Sequence, residues 1–226
     1  MWNVTRRSAY RVGMELLRRT SSLFIAACVV SSLASCAGSQ DASSSLGTAP
    51  SATPGTVSSS DPSLVAAVDA VVGLVVDRLE TAPDVAAAKY LSGQPIGDPV
   101  REGVVLDTVT AEAEEAGADS SWVRSVFEDQ VEANKQVQEA LHAGWGADAA
   151  QAPASAPDLA TGVRPTLDAI TPELVEALTE LGRHRSASAS ASASACRTVL
   201  AERTAAVVST PEVVAALPTA SADLCR

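Results

Sequence analysis

Between Asp61 and His142, three successive segments carry apolar residues at every third or fourth position. That is the spacing of a helix burying one face, not the alternation of a strand. The stripes are interrupted in a particular way. The first reads Val71, Leu74, Arg78, Ala82, Val85, Lys89, the second sets Arg101 beside Val105 and Thr108, and the third reads Val123, Phe127, Val131, Asn134, Gln138. Any fold that buries these faces must also find partners for three cations and two amides. Burying a cation alone costs several kcal/mol, and the acids at matching positions are Asp98 and Glu102. Singly, each residue has a plain explanation: Arg78 has Asp77 and Glu80 beside it, and Asp98 is a ready helix N-cap. Together, on three consecutive helices, they point to a bound anion that supplies the missing charge.

Composition agrees with helices. Aromatic residues make up 3% of the 226 while apolar residues reach 46%, rich in Ala, Val and Leu, which suits close-packed helices better than a sandwich or barrel. The length fits one domain plus extensions. An all-α fold is expected.

Residues 1–35 stand apart. Arg6, Arg7, Arg11, Arg18 and Arg19 precede the uncharged run "LFIAACVVSSLAS", too short to span a bilayer as a mature helix, and the whole reads as an export signal. It ends in "LASC", which resembles the bacterial lipoprotein cleavage box and would make Cys36 a lipidated first residue, a membrane anchor. Ordinary cleavage near Ala37 is the alternative. Residues 36–60, rich in Ser, Gly, Pro and Thr, read as a flexible tether, leaving 61–226 as the folded domain.

Removing the signal's five arginines and one glutamate leaves 11 basic against 26 acidic residues, a net charge of −15. Nucleic acid is thereby excluded as a partner, and an anion site has to be a local cluster of cations. Cys196 and Cys225 remain after the signal and the anchor candidate; in an exported protein the simplest expectation is one disulfide. No metal site is expected, since His142 and His184 lack ligand-like spacing to these cysteines.

Along the domain, Asp61-Pro62 starts a long helix to about Leu91 that Pro83 should bend or break. "SGQPIGDP" is a turn, and Asp98-Pro99 starts a second helix to about Ala116. A third runs from about Ser121 to His142. "AGWGADAAQAPASAPDLATG" reads as a long crossing loop, Arg164-Pro165 opens a fourth helix, and weaker helical patterns cover 171–182 and 196–217. "SASASASASA", residues 186–195, reads as a loosely ordered connection.

The order Arg78, Lys89, Asp98, Arg101, Asn134, Gln138, Arg164, within "RLETAPDVAAAKY", "PIGDPVRE" and "VFEDQVEANKQVQ", closely resembles the secreted, all-helical gamma class of chorismate mutases. The resemblance covers about residues 64–170, the expected catalytic part, and extends weakly to Cys196 and Cys225. It implies an enzyme that rearranges chorismate, a dianion, to prephenate without a cofactor, in aromatic amino-acid biosynthesis and outside the cytoplasm. It further implies that Arg78 and Arg164 bind the two carboxylates, with Arg101 adding charge. Lys89 and Gln138 would donate to the ether oxygen, Asp98 and Glu102 would orient the ring hydroxyl, and Asn134 would bridge to a carboxylate. The class's pattern differs at Asn134 and Gln138, where a secreted relative has Thr and Glu; both replacements keep a donor. Some relatives dimerise, so a homodimer is left open. The competing reading from another class is a lipid-anchored anion-binding module without turnover, which would need the arginines but not donors at an ether oxygen.

Overall fold

The computed structural model describes residues 61–186 and 189–226; the export segment, Cys36 and the tether lie outside the described residues. The chain runs α1 (Pro62–Leu79), α2 (Ala82–Ser92), α3 (Pro99–Glu115), α4 (Ser120–Ala147), a 3-10 turn (Ala149–Gln151), a π turn (Leu159–Val163), α5 (Arg164–Ser186), α6 (Ala189–Ala205) and α7 (Pro211–Ala220). Among the described residues every regular element is helical, as the stripes require.

α1 buries Leu64, Val68, Val71, Val72, Val75, Val76 and Leu79. Those residues form one broad face, about 140° wide at 100° per residue, which is enough to take more than one neighbouring helix. α5 and α6 lie against α1, while α2, α3 and α7 lie against α4, with α1 and α4 touching along the axis. Asp61 caps α1, its carboxylate accepting from the Ser63 N–H at 3.0 Å.

The break foreseen at Pro83 falls at Glu80–Thr81. Pro83 cannot donate to the carbonyl of Leu79, so the last turn of α1 closes differently: the Thr81 N–H and hydroxyl both reach the Arg78 carbonyl, at 3.2 and 2.7 Å. α2 ends at Gly93, whose φ of +68° suits a residue without Cβ. There the Gln94 N–H bonds the Lys89 carbonyl and the Gly93 N–H the Tyr90 carbonyl, the paired bonds that close a helix through a left-handed residue.

Four expectations are corrected. α4 does not stop at His142 but continues to Ala147. Gly144 and Gly146 are tolerated because Trp145 and His142 pack edge to face with Tyr90 of α2, ring centroids 5.2 Å from it, which rewards the extra turn. α5 is a single helix with Pro172 inside it, not two. Residues 196–217 divide between α6 and α7, because Thr210-Pro211 is a helix start: the Thr210 hydroxyl caps the Val213 N–H at 3.4 Å. Finally, α6 begins at Ala189, so much of the alternating Ser/Ala stretch is helical, in keeping with alanine's propensity.

Cys196 and Cys225 form a disulfide, Cα atoms 5.7 Å apart across a separation of 29 residues. It joins α6, which lies on α1, to the tail after α7, which lies on α4, so it ties the two flanks of the bundle together.

Candidate active site

Arg78 stands in the last turn of α1, 9% exposed. Its Nη1 donates to the Thr171 hydroxyl of α5 at 2.9 Å, and its Cζ lies 4.9 Å from the centre of the Phe127 ring of α4. Its Nε is buried with no hydrogen-bond partner. Burial alone pulls its pKa down to about 10. No ion pair to a carboxylate offsets that burial among the described residues. A guanidinium left so is a site for an anion.

Lys89, half-buried on α2, donates to the Ile96 carbonyl in the loop after Gly93. Burial pushes its pKa below the ordinary value, and the charges of Asp98 and Glu102 push it back up. Asp98 caps α3 by accepting from the Arg101 N–H at 3.1 Å, while Glu102 reaches back to the Asp98 N–H at 3.0 Å. This is a reciprocal capping arrangement shifted by one residue. The other Glu102 oxygen is 3.8 Å from Lys135 of α4, a cation absent from the sequence reading, which also pairs with Glu132 at 3.0 Å. No stripe could have marked Lys135, because it lies beside the buried face of α4 rather than on it.

Gln138 is 3% exposed on α4, its amide nitrogen 2.7 Å from the Asn134 side-chain oxygen one turn earlier, and its own Oε1 has no partner. One turn later, the His142 ring nitrogen meets the Ala86 carbonyl at 2.8 Å, and Ala86 lies one turn before Lys89. This contact fixes α2 against α4 one turn from Lys89 on the one helix and one turn from Gln138 on the other. Phe127, under Arg78, is seven residues before Asn134 on the same stripe, about 10 Å along the axis. The guanidinium and the amide pair therefore occupy one face of α4 at two levels.

Arg101 is where the sequence reading fails. It is exposed, because the buried face of α3 runs through Val109 and Ala113, with Val105 and Leu106 packed against the core. Thr108, which set the expected stripe, is exposed too, so the face is rotated from the one predicted. Arg164 is half-buried at the first position of α5, about 10 Å along that helix from Thr171. Asp158, capping the π turn before it, is held below the usual carboxylate range by the Thr161 N–H and hydroxyl, with a smaller contribution from Arg164. Thr171 and Phe127 both touch the Arg78 guanidinium. Thr171 was missed because Thr-Pro reads as a helix start, whereas Phe127 was read as plain core.

The helices that carry these residues resemble those of known proteins. The pattern of the family described as chorismate mutase type II matches residues 66–139. A solved chorismate mutase from Burkholderia thailandensis is 36% identical, superposes with a TM-score of 0.64, and is covered over 99% of its length by 70% of this chain. Two curated relatives are named secreted chorismate mutase. One, from Mycolicibacterium smegmatis, is 39% identical over 47% of this chain and 58% of its own. The other, from Mycobacterium tuberculosis, is 31% identical over 44% of this chain and 50% of its own. The chain thus spans between half and three-fifths of the curated relatives it matches. It belongs to the all-helical chorismate mutase family.

Proposed function

We propose that the protein is a chorismate mutase that acts outside the cytoplasm, converting chorismate to prephenate. The observation that carries this reading is the uncompensated Arg78 guanidinium, buried at one level of a face of α4 whose other level carries the Gln138 amide, with α2, the helix that bears Lys89, packed on α4. Chorismate offers two carboxylates and an ether oxygen in one small molecule. Its rearrangement is intramolecular: the ether C–O bond breaks as a C–C bond forms, and negative charge grows on the oxygen. No nucleophile and no cofactor is called for; the protein has to hold the compact conformer and place donors at that oxygen.

In this account Arg78 takes one carboxylate and Arg164 the other, with Arg101 adding positive charge from the rim. Asn134 bridges to a carboxylate. Lys89 and Gln138 donate to the ether oxygen, which requires Lys89 to turn from the Ile96 carbonyl and Gln138 from Asn134. Asp98 and Glu102 accept from the ring hydroxyl and keep Lys89 protonated against its burial. The names of the curated relatives and the N-terminal sequence support export, with residues 1–35 as signal, Cys36 as a lipid anchor at the outer face of the membrane, and 36–60 as tether to the catalytic domain 61–226. A homodimer belongs to the same proposal, and Val100, 81% exposed on α3, with Val104 one turn on, is apolar surface available to it; sedimentation of the wild type against Val104→Glu tests it. For the activity itself, the protein is incubated with chorismate while loss of chorismate and formation of prephenate are followed. Acceleration over buffer is expected, and saturable binding without turnover would leave an anion-binding module instead.

A further inference from the structure

The hydroxyl of Thr171 has one hydrogen, and the structure shows where it goes: to the Leu167 carbonyl one turn back, at 2.8 Å. With that hydrogen committed, the oxygen can only accept toward Arg78, and Nη1 donates to it at 2.9 Å. The contact joins α1 to α5 across 93 residues of sequence at a half-buried position. It also selects which nitrogen of the guanidinium stays available. Nη1 is taken, the Phe127 ring lies against the plane, and the Nε hydrogen is buried without a partner. What is left for a ligand is Nη2, because Nε is closed off by that burial, and a guanidinium N–H there gives a charge-assisted hydrogen bond to a carboxylate oxygen. A lone arginine on a flexible stem has several rotamers, and ordering it on binding costs entropy that a pinned guanidinium has already lost.

We propose that Thr171 is a positioning residue for substrate: it fixes Arg78 by one nitrogen, Nη1, so that Nη2 is presented to a carboxylate of the bound dianion. The catalytic half of this statement rests on the proposed mutase activity; the positioning half does not. Pro172 follows Thr171 and removes an N–H inside α5, yet the helix continues, so the Thr171 backbone keeps the turn that aims its hydroxyl.

The test compares Thr171→Val, which keeps the shape and loses the hydroxyl, with Thr171→Ser, which keeps the hydroxyl. Side-chain nitrogen NMR of Arg78 reads the positioning directly. Separate, slowly exchanging Nη protons are expected in the wild type and the Ser variant, and a single averaged signal in the Val variant. Kinetics read the consequence: KM for chorismate should rise about tenfold in Thr171→Val with kcat within about threefold, as expected for a contact made equally in ground and transition states, and Ser should restore it. An Arg78 signal that is the same in all three proteins, or a Val variant with KM within twofold of wild type, overturns the proposal. A wild type with ordered Nη protons and no mutase activity would sink the proposed function while leaving the positioning of Arg78 standing.

Discussion

α4 carries two buried glutamines in opposite circumstances. Gln130, 2% exposed, sends its amide N–H to the Ala220 carbonyl at the end of α7, a backbone group ninety residues away. Gln138, about two turns on and 3% exposed, bonds only Asn134 on its own helix. Burial and residue type are the same, yet Gln130 closes a helix end in the disulfide-tied half of the bundle, whereas Gln138 holds nothing together between elements. The amide N–H of Gln138 can therefore turn to a ligand without loosening a contact between elements, and that of Gln130 cannot. Around Gln130 the same pattern repeats: the Trp122 ring nitrogen donates to the Asp223 carbonyl at 2.8 Å, and Arg185 stacks over Trp122 at 4.0 Å while its Nε reaches the Arg226 carbonyl. Both glutamines keep a buried side-chain oxygen without a partner, so the contrast rests on the amide N–H groups: that of Gln130 bridges two elements and that of Gln138 does not.

If that contrast is right, the largest effects on activity come from the site half. Arg78→Ala and Lys89→Ala should each lower kcat/KM by at least about 100-fold, the scale of a donor to developing or bound charge, with helical circular dichroism retained. Arg78→Met, which fills the same space without the charge, should hold or raise Tm, since it removes a buried cation that no carboxylate neutralises. A loss below about threefold for either alanine variant would misplace the site.

The glutamine pair gives the cleanest separation. Gln138→Leu should lower kcat by roughly 100-fold and move Tm little. Gln130→Leu strands the Ala220 carbonyl and should cost about 1–3 kcal/mol, a Tm loss of roughly 3–10 °C, with kcat/KM within about twofold of wild type. Equal damage to both properties in both variants would break the contrast between the two halves.

How far this division could be read from the sequence depends on the residue. The helices, the break before Pro83 and the pairing of Cys196 with Cys225 were legible, because periodicity, proline and a two-cysteine remainder are local or nearly local signals. Arg78 and Gln138 were legible because they sit on apolar stripes whose period is the helix's own. Arg101 was misplaced: on α3 two stripes a residue apart fit the pattern, and only packing against α4 and α5 chooses Val109 and Ala113 over Thr108. Gln130 and Thr171 escaped notice because their partners, Ala220 and Arg78, lie ninety or more residues away, and nothing local announces such a bond.

Smaller effects belong to the other half. Reducing the Cys196–Cys225 disulfide should cost about 3 kcal/mol and lower Tm by about 6–12 °C, as measured by calorimetry with and without reductant, while activity at ordinary temperature persists. Smallest is Asp129→Asn. Asp129 accepts from the Asp223 N–H at 2.9 Å. Burial first, then the charge of Asp223, raise its pKa; Arg226 and that N–H lower it, and Glu128 adds a slight push upward. Because the folded pKa lies above the unfolded one, the favourable contribution exists only at low pH, where the group is protonated in both states, and is lost as pH rises through the folded pKa. Asn should therefore raise Tm by about 1–2 °C at pH 7, with the advantage vanishing near pH 3. A Tm gain that persists unchanged at low pH would show that the carboxylate's charge is not its cause.

The central claim is that an amide and an ammonium face the breaking bond, and a pH profile of kcat/KM for chorismate tests it in wild type and Gln138→Glu. The amide donates at every pH, and Lys89, though lowered by burial, is held up by Asp98, Glu102 and the bound dianion, so the wild type should be nearly flat between about pH 6 and 8.5, declining above as Lys89 loses its proton. The Glu variant can donate only when protonated and should lose about tenfold per pH unit above the new group's pKa. A wild type that already declines tenfold per unit from pH 6 to 8, or a Glu variant as flat as the wild type, would mean that Gln138 does not face the ether oxygen.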